Sequence, residues 1–168
     1  MKKIIEDALN EQIAREQAAS RTYLSLAIWA DKAGYSGSAS FWYAQSEEER
    51  QHMLKIVHFM IEAGGKPVVA DTDEPNPKVN SFQEMFEYGL QAEKSVSKSI
   101  HEKAELAMKE KDFVVFNFQQ WYISEQVEEE NTMQTILDKI KLIEKHGGSL
   151  YMLDKELTRQ PAAPVQSE

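Results

Sequence analysis

Apolar residues along most of the chain recur three and four positions apart, the spacing of side chains on one face of an α-helix. Four long helical segments are predicted, and each ends where glycine, proline or a turn-forming pair interrupts the pattern. A fifth, short segment follows two glycines. The predicted helices run from about Ile4 to Ala33, Ser38 to Ala63, Phe82 to Lys109, Phe113 to His146 and Ser149 to Thr158.

The lengths of the connections predict the topology. Short turns join the first helix to the second and the third to the fourth, so each pair is antiparallel. The stretch DTDEPNPKVNS contains two prolines and several turn formers, which indicates a long connection between the pairs. The sequence therefore predicts an all-α four-helix bundle with one long crossover connection and a short fifth C-terminal helix. Residues 1–160 would form one domain, and residues 161–168 a disordered tail.

The fifth helix places three leucines on one face, at Leu150, Leu153 and Leu157. A four-helix bundle offers no room inside for a further helix. We therefore expect these leucines to pack against neighbouring subunits.

Each long helix carries a carboxylate at a position that the apolar spacing assigns to the core. An unpaired carboxylate in a dry core is costly, so it must be protonated, paired with a base or bound to a cation. The predicted core positions include no lysine or arginine. For one helix, a shift of the pattern by one residue would explain the acid equally well, but all four helices would have to be shifted. These acids are Glu16, Glu49, Glu93, Glu125 and Glu129.

Positions along the helices indicate which acids lie at the same height. Glu93 and Glu129 are equally far from the turn at Lys111, so their antiparallel helices bring them level. Glu16 and Glu49 differ by six residues in their distance from the first turn. Six residues span about 9 Å along a helix, so the sequence predicts a mismatch in this pair.

Composition limits the classes of partner and of metal site. Asp and Glu outnumber Lys and Arg by 28 to 19, and the net charge of −9 disfavours nucleic acid and anionic membranes but favours cations. The chain has no cysteine, which excludes disulfides, zinc–thiolate sites and iron–sulfur clusters. The stretch MKKIIEDALN places acids where a signal peptide needs an apolar run, and no later segment approaches the length and apolar character expected of a membrane span. We expect a soluble, cytoplasmic protein.

The second helix contains Glu49-Arg50-Gln51-His52, which places a carboxylate and an imidazole on one helical face. This Glu-x-x-His spacing is weak evidence alone, because such pairs are common on solvated helices. Combined with inward acids on the other three helices, it matches the di-iron carboxylate arrangement of helical bundles. Carboxylate oxygen and imidazole nitrogen without thiolate suit iron or manganese, although zinc competes for such ligands.

Three stretches of the chain closely resemble bacterial non-haem ferritins: NEQIAREQAASRTYLSL, AQSEEERQHM, and FNFQQWYISEQVEEE with the later GGSLYMLDKEL. The similarity extends from about residue 4 to residue 158. The resemblance implies an iron storage protein with ferroxidase activity, which oxidises Fe(II) with dioxygen or hydrogen peroxide. It also implies a homo-oligomeric shell of 24 subunits that encloses ferric oxyhydroxide mineral, with the fifth helices around its four-fold axes.

The resemblance also implies a role for individual residues. Two iron sites would share one bridging carboxylate, a third iron site would lie nearby, and two aromatic side chains would supply electrons. For the aromatic residues, plain core packing is an equally good interpretation. The first site would use Glu16, Glu49 and His52; the second Glu49, Glu93 and Glu129, lined by Gln126; the third Glu48, Glu125, Glu128 and Glu129; the aromatics are Tyr23 and Trp121.

Related classes fit the sequence less well. Bacterioferritins have a second Glu-x-x-His, and their haem-ligating methionine directly follows the bridging glutamate, whereas here Arg50 follows it and Met53 has the wrong offset. We therefore expect no haem.

Two other functions stay open: a non-storage di-iron peroxidase, whose relatives usually carry a four-cysteine domain, and a redox-inactive helical shell protein. The remaining histidines, His58, His101 and His146, and the acid Glu47 are expected at the surface.

Overall fold

The computed structural model describes residues 1–158, and these residues form five helices. The helices are α1 (Lys3–Lys32), α2 (Ser36–Glu62), α3 (Phe82–Lys109), α4 (Phe113–His146) and α5 (Leu150–Leu157). Every predicted boundary agrees with the structure to within two residues, and the predicted fold class is confirmed. Residues 161–168, which the sequence predicts to be a disordered tail, lie outside the described residues.

Side chains at the helix ends explain why α3 and α4 begin and end where the sequence predicts. The Ser81 hydroxyl accepts a hydrogen bond from the Glu84 backbone N–H at 3.1 Å, and the Asp112 carboxylate accepts one from the Val115 N–H at 3.2 Å. Each bond satisfies an N–H group that has no partner within its helix. Helix α4 ends at Gly147, whose left-handed φ of 73° favours glycine.

The helices form two antiparallel pairs, α1 with α2 and α3 with α4. The connection between the pairs, residues 63–81, follows the outside of α1. Arg21 donates a hydrogen bond to the Thr72 carbonyl at 3.0 Å, and the Asn10 amide bonds to the Lys66 carbonyl at 3.1 Å. The long crossover that the sequence predicts is therefore attached to the first helix along its length.

The apolar core is divided into two clusters, one toward each end of the bundle. Along each of the four long helices the core carboxylate lies between them, so a polar layer separates two apolar ends. The first cluster includes Leu26, Trp42, Phe86, Met133, Ile136 and Leu153; the second includes Leu9, Ile13, Ile56, Met60, Ile100 and Val115. The polar layer is thus held in place from both sides by packed side chains.

Helix α5 packs against its own subunit, at the start of α2. Asp154 is buried, and its carboxylate accepts hydrogen bonds from the Gly37 N–H (2.9 Å), the Ser38 N–H (2.8 Å) and the Ser38 hydroxyl (2.7 Å). A Cβ at Gly37 would lie 1.7 Å from the Asp154 carbonyl oxygen, so this approach requires glycine. The Asp154 side chain therefore caps α2 and attaches α5 to the bundle.

This attachment corrects the prediction for the fifth helix. Leu153 and Leu157 are buried in the first cluster of their own subunit, and Leu150 packs partly against it. The burial of these leucines therefore does not require a neighbouring subunit. Tyr151 and Met152 are the apolar residues of α5 that face outward, at 62% and 65% exposure.

Within residues 1–158, none of the helices has the length and apolar character needed to cross a membrane.

Candidate metal centre

The polar layer of the bundle gathers acids from all four long helices, as the sequence predicts. Each of the four carboxylates and the single histidine in this layer is at most 6% exposed. The remaining predicted site residues surround this group. The buried residues are Glu16 on α1, Glu49 and His52 on α2, Glu93 on α3 and Glu129 on α4.

Glu16, Glu49 and His52 form the most compact group of potential ligands. Each offers one ligand atom, and these three atoms lie within 4.8 Å of one another. His52 Nδ1 lies 3.3 Å from Glu49 Oε2, and Glu16 Oε2 is buried without a hydrogen-bond partner among the described residues. A buried oxygen without a partner is costly, and a bound cation would satisfy it. The donor set therefore fits iron.

The predicted mismatch in height between Glu16 and Glu49 is smaller in the structure. Helix α2 begins at Ser36, so Gly37 lies inside the helix and the turn is centred on Gly34. Glu16 lies 18 residues before Gly34 and Glu49 lies 15 residues after it. The remaining three residues correspond to about 4.5 Å along a helix, a gap that two glutamate side chains can span.

Glu93 is held by two hydrogen-bond donors. The Tyr23 hydroxyl donates to Glu93 Oε1, and Gln126 Nε2 donates to Glu93 Oε2 at 2.6 Å and to the Glu93 carbonyl at 3.2 Å. Within residues 1–158, neither Glu93 nor Glu129 joins a group of three ligand atoms as close as that around Glu16. The second iron site, with Gln126 at its edge, therefore stays a prediction.

A second compact group shares His52 with the first. Glu48, Glu125 and His52 each offer one atom within 4.8 Å of the others, and both acids are half-buried. Glu128, predicted for the same site, is exposed and lies outside this group, as does Glu129. The structure therefore brings together only part of the predicted third iron site.

Burial and mutual repulsion raise the pKa values of the acids in the layer. Burial raises the pKa of Glu49 well above its usual value, and the charges of Glu16 and Glu93 add to this effect. Burial raises the pKa of Glu93 to about 7. Burial lowers the pKa of His52 to about 4, with a smaller contribution from the charge of Lys55. At neutral pH His52 is therefore uncharged, and carboxyl groups beside it retain protons that a metal ion would displace.

The half-buried acids respond to the same forces. Burial raises the pKa of Glu48 to about 7, and the negative charge of Glu125 and, less strongly, of Glu128 contributes. Burial and the Glu128 charge also raise the pKa of Glu125. Glu128 therefore affects the pKa values of this group through its charge, although its carboxylate is too far away to bind the same ion as Glu48 and Glu125.

The two aromatic residues predicted beside the centre lie there. The Tyr23 hydroxyl reaches Glu93, and its ring lies 5.1 Å from the Trp42 ring. The Trp121 ring lies 5.5 Å from the His52 ring and carries Lys55 Nζ 3.3 Å from its centroid. Both aromatic side chains thus contact residues of the polar layer, and their role in electron transfer stays a prediction.

The structure corrects the core face of α4. The sequence places Glu125 in the core, but the structure buries Gln126 instead, and the next buried positions are Glu129 and Met133. In the structure the buried residues of α4 still alternate between steps of three and four residues, but the four-residue step follows Tyr122 and Glu129, where the predicted pattern takes the three-residue step. Glu125 consequently lies at the edge of the layer.

Two buried residues beside Glu16 are absent from the sequence prediction. Gln12 is 1% exposed and Lys103 is 6% exposed, so the expectation that the core includes no lysine is wrong. Gln12 lies one turn before Glu16 on the same face, a spacing that could have identified it. Lys103 lies next to the buried Ala104 in the sequence of α3, and its own burial depends on the neighbouring helix. His58, His101, His146 and Glu47 are exposed, as predicted.

Comparison with known proteins gives a consistent result. A family model described as a ferritin-like domain matches residues 6–143. The bacterial non-heme ferritin of Campylobacter jejuni is 36% identical over 155 residues, which are 92% of this chain and 93% of that protein. A probable bacterial non-heme ferritin-like protein of Haemophilus influenzae is 36% identical over 149 residues, which are 89% of this chain and 90% of that protein. An open pore ferritin of the archaeon Archaeoglobus fulgidus superposes with a TM-score of 0.92 at 38% identity, covering 96% of this chain and 98% of that chain.

Proposed function

The chain belongs to the ferritin family, and from this premise we propose that it stores iron and acts as a ferroxidase. Its substrates are Fe(II) and either dioxygen or hydrogen peroxide. The observation that carries the proposal is the buried group of Glu16, Glu49 and His52, in which one carboxylate oxygen has no partner among the described residues. Such a group suits a hard divalent cation better than an apolar or anionic ligand.

Two Fe(II) ions are proposed to bind side by side. Glu16, Glu49 and His52 hold the first ion, and Glu49 also faces the second, which Glu93 and Glu129 complete. Neutral His52 offers a nitrogen lone pair without first losing a proton, because burial lowers its pKa to about 4. The protons on Glu49 and Glu93 leave as the ions enter. The resulting carboxylates stabilise Fe(III) more than Fe(II), which favours oxidation.

The electron count matches a paired site. Two Fe(II) ions release two electrons, which with two protons reduce dioxygen to hydrogen peroxide or hydrogen peroxide to two water molecules. Tyr23 and Trp121 lie beside the layer and are proposed to supply further electrons. The Fe(III) product then hydrolyses and accumulates as ferric oxyhydroxide.

A third iron site is proposed at the half-buried group of Glu48, Glu125 and His52. Glu129 and the charge of Glu128 border this group. This third group lies nearer the surface than the first group, and both groups include His52. An iron ion bound at the third site would therefore move to or from the paired site by way of the His52 imidazole. This site would alter the turnover and the stoichiometry more than the first fast oxidation.

The assembly proposed for storage is a hollow homo-oligomer of 24 subunits in the cytoplasm. Tyr151 and Met152 on α5 and Leu142 on α4 are exposed apolar residues that suit subunit contacts. The net charge of −9 would attract Fe(II) toward the shell. The proposed function does not involve haem, nucleic acid or a membrane.

The test is stopped-flow oxidation of Fe(II) by dioxygen in Glu49→Ala and His52→Ala, with Glu47→Ala and His58→Ala as exposed controls on the same helix. We expect the fast phase to slow by roughly tenfold or more in the first two variants and to stay unchanged in the controls. Sedimentation with electron microscopy after iron loading should show a large shell with a dense core. If Glu49→Ala oxidises Fe(II) at the parental rate, the proposed ferroxidase function is wrong. If the assembled shell contains no iron after loading, the proposed storage function is wrong.

A further inference from the structure

A line of four buried polar side chains connects α3 to the metal centre on α1. Lys103 Nζ donates a hydrogen bond to Ser99 Oγ at 2.5 Å. Ser99 Oγ in turn donates to Gln12 Oε1 at 3.1 Å, and Gln12 Nε2 donates to Glu16 Oε1. Lys103, Ser99, Gln12 and Glu16 are all at most 6% exposed, so water competes little with these bonds.

The ammonium group sets the direction of every bond in this line. A lysine ammonium has donors but no acceptor, so the Ser99 oxygen must accept from Lys103 and its single O–H must point toward Gln12. The Gln12 oxygen then faces Ser99, and the Gln12 amide nitrogen faces Glu16. If the Gln12 amide were turned around, its oxygen instead of its nitrogen would face Glu16 Oε1. Burial lowers the pKa of Lys103, and the Glu11 carboxylate, 4.0 Å from Lys103 Nζ, opposes this effect and favours the ammonium form at the head of the line.

The consequence is that the two oxygens of Glu16 have different surroundings. Oε1 accepts the hydrogen bond from Gln12, whereas Oε2 has no partner among residues 1–158. The line therefore fixes the side-chain rotation of Glu16 and leaves one oxygen for a cation. Outer hydrogen bonds of this kind commonly orient metal ligands.

We propose that Lys103 is a positioning residue for the first metal ion, acting through Ser99 and Gln12 on the orientation of Glu16. Lys103 does not touch the ion. This inference rests on the proposed function, because it assumes that Glu16 is a metal ligand. It adds a requirement for a buried cation on α3, about three turns from Glu93 and outside every predicted ligand set.

The experiment is anaerobic titration of the metal-free protein with Co(II), whose visible absorption reports the number and geometry of its ligands. Lys103→Met removes the charge but keeps an unbranched side chain, and Ser99→Ala interrupts the line while Lys103 stays. We expect each variant to bind the first Co(II) about tenfold more weakly and to change the shape of the absorption band. The matched control is Lys98→Met, which removes an exposed lysine from the same helix.

The double variant separates positioning from a general loss of packing. Because Lys103 and Ser99 act through one line, Lys103→Met combined with Ser99→Ala should lose no more Co(II) affinity than either single variant. Additive losses, or an equal loss in Lys98→Met, would overturn the inference. So would parental affinity and an unchanged band in both single variants.

Failure of this inference is distinguishable from failure of the proposed function. If the parent protein binds Co(II) and the variants behave like it, only the positioning role of Lys103 is lost. If the parent protein itself binds no Co(II), the proposed metal centre and the inference are overturned together.

Discussion

The Tyr23 hydroxyl on α1 donates a hydrogen bond to the Glu93 carboxylate on α3 across the polar layer. Burial raises the pKa of Tyr23 well above its usual value, and nearby Glu93 and Glu49 add to this effect, so the phenol retains its proton at neutral pH. Tyr23 therefore orients the carboxylate that we propose as a ligand of the second ion, and its phenol lies beside that proposed site.

The first prediction concerns Tyr23→Phe, which keeps the ring and removes the hydroxyl. If Tyr23 supplies an electron, a tyrosyl radical should form when Fe(II) meets dioxygen and should be absent in this variant. Freeze-quench electron paramagnetic resonance would detect it. Tyr43→Phe, which changes an exposed tyrosine on α2, should behave like the parent protein. A radical of equal intensity in Tyr23→Phe would assign Tyr23 to packing and hydrogen bonding alone.

The second prediction concerns stability against pH in metal-free protein. The pKa of Glu93 is raised from 4.5 to about 7 in the folded state, with burial as the main cause. The folded state thus binds the extra proton, so the Glu93 contribution is present below pH 4.5 and is lost as the pH rises through 7. Relative to Glu93→Gln, the parent protein should lose up to about 3 kcal/mol of unfolding free energy across this range.

Denaturant unfolding of both proteins at several pH values would measure this difference. The buried histidine has the opposite dependence, since its lowered pKa makes the folded state less stable as the pH falls from 6.5 toward 4. That contribution is common to both proteins and cancels in the comparison. Parallel curves between pH 4.5 and 7 would show that Glu93 ionises normally.

The third prediction compares two neighbouring acids on α4. Glu125 belongs to the compact group with Glu48 and His52, whereas Glu128 is exposed and acts through its charge. Glu125→Ala should therefore change the ratio of iron oxidised to oxygen consumed more than Glu128→Ala does. Oxygen-electrode measurements with known additions of Fe(II) would give both ratios. Unchanged ratios in both variants would remove the third site.

The fourth prediction concerns the attachment of α5. Asp154→Asn removes the charge that caps α2 at Gly37 and Ser38, and we expect a loss of about 1 kcal/mol, as for other N-cap substitutions. The melting temperature should fall and the fraction of assembled protein should decrease in sedimentation. Asp138→Asn, an exposed aspartate on α4, is the control. Parental values for Asp154→Asn would mean that the leucines alone hold α5.

The fold could be predicted from the sequence because its signals are local. Ser81, Asp112 and Gly147 define helix ends through bonds to backbone groups a few residues away. The core carboxylates are likewise visible as acids within an apolar repeat. These signals do not depend on which helix lies opposite.

The errors share a different cause, since each depends on contacts between helices. The burial of Lys103 requires Gln12 of α1 opposite α3, and the burial of Leu153 requires the cap that Asp154 provides on α2. The exchange of Glu125 for Gln126 in the core depends on which side of α4 faces the other helices, because the two residues are neighbours on one helix. Sequence periodicity contains no information about which face of one helix meets which face of another.

The division of the core into two apolar clusters has a consequence for repeated use of the protein. Packed apolar side chains hold the helices together on both sides of the polar layer. We therefore expect the subunit to stay folded when the proposed metal ions bind and when they leave. The proposed uptake and release of iron requires a fold of this kind, whose stability does not depend on the bound metal.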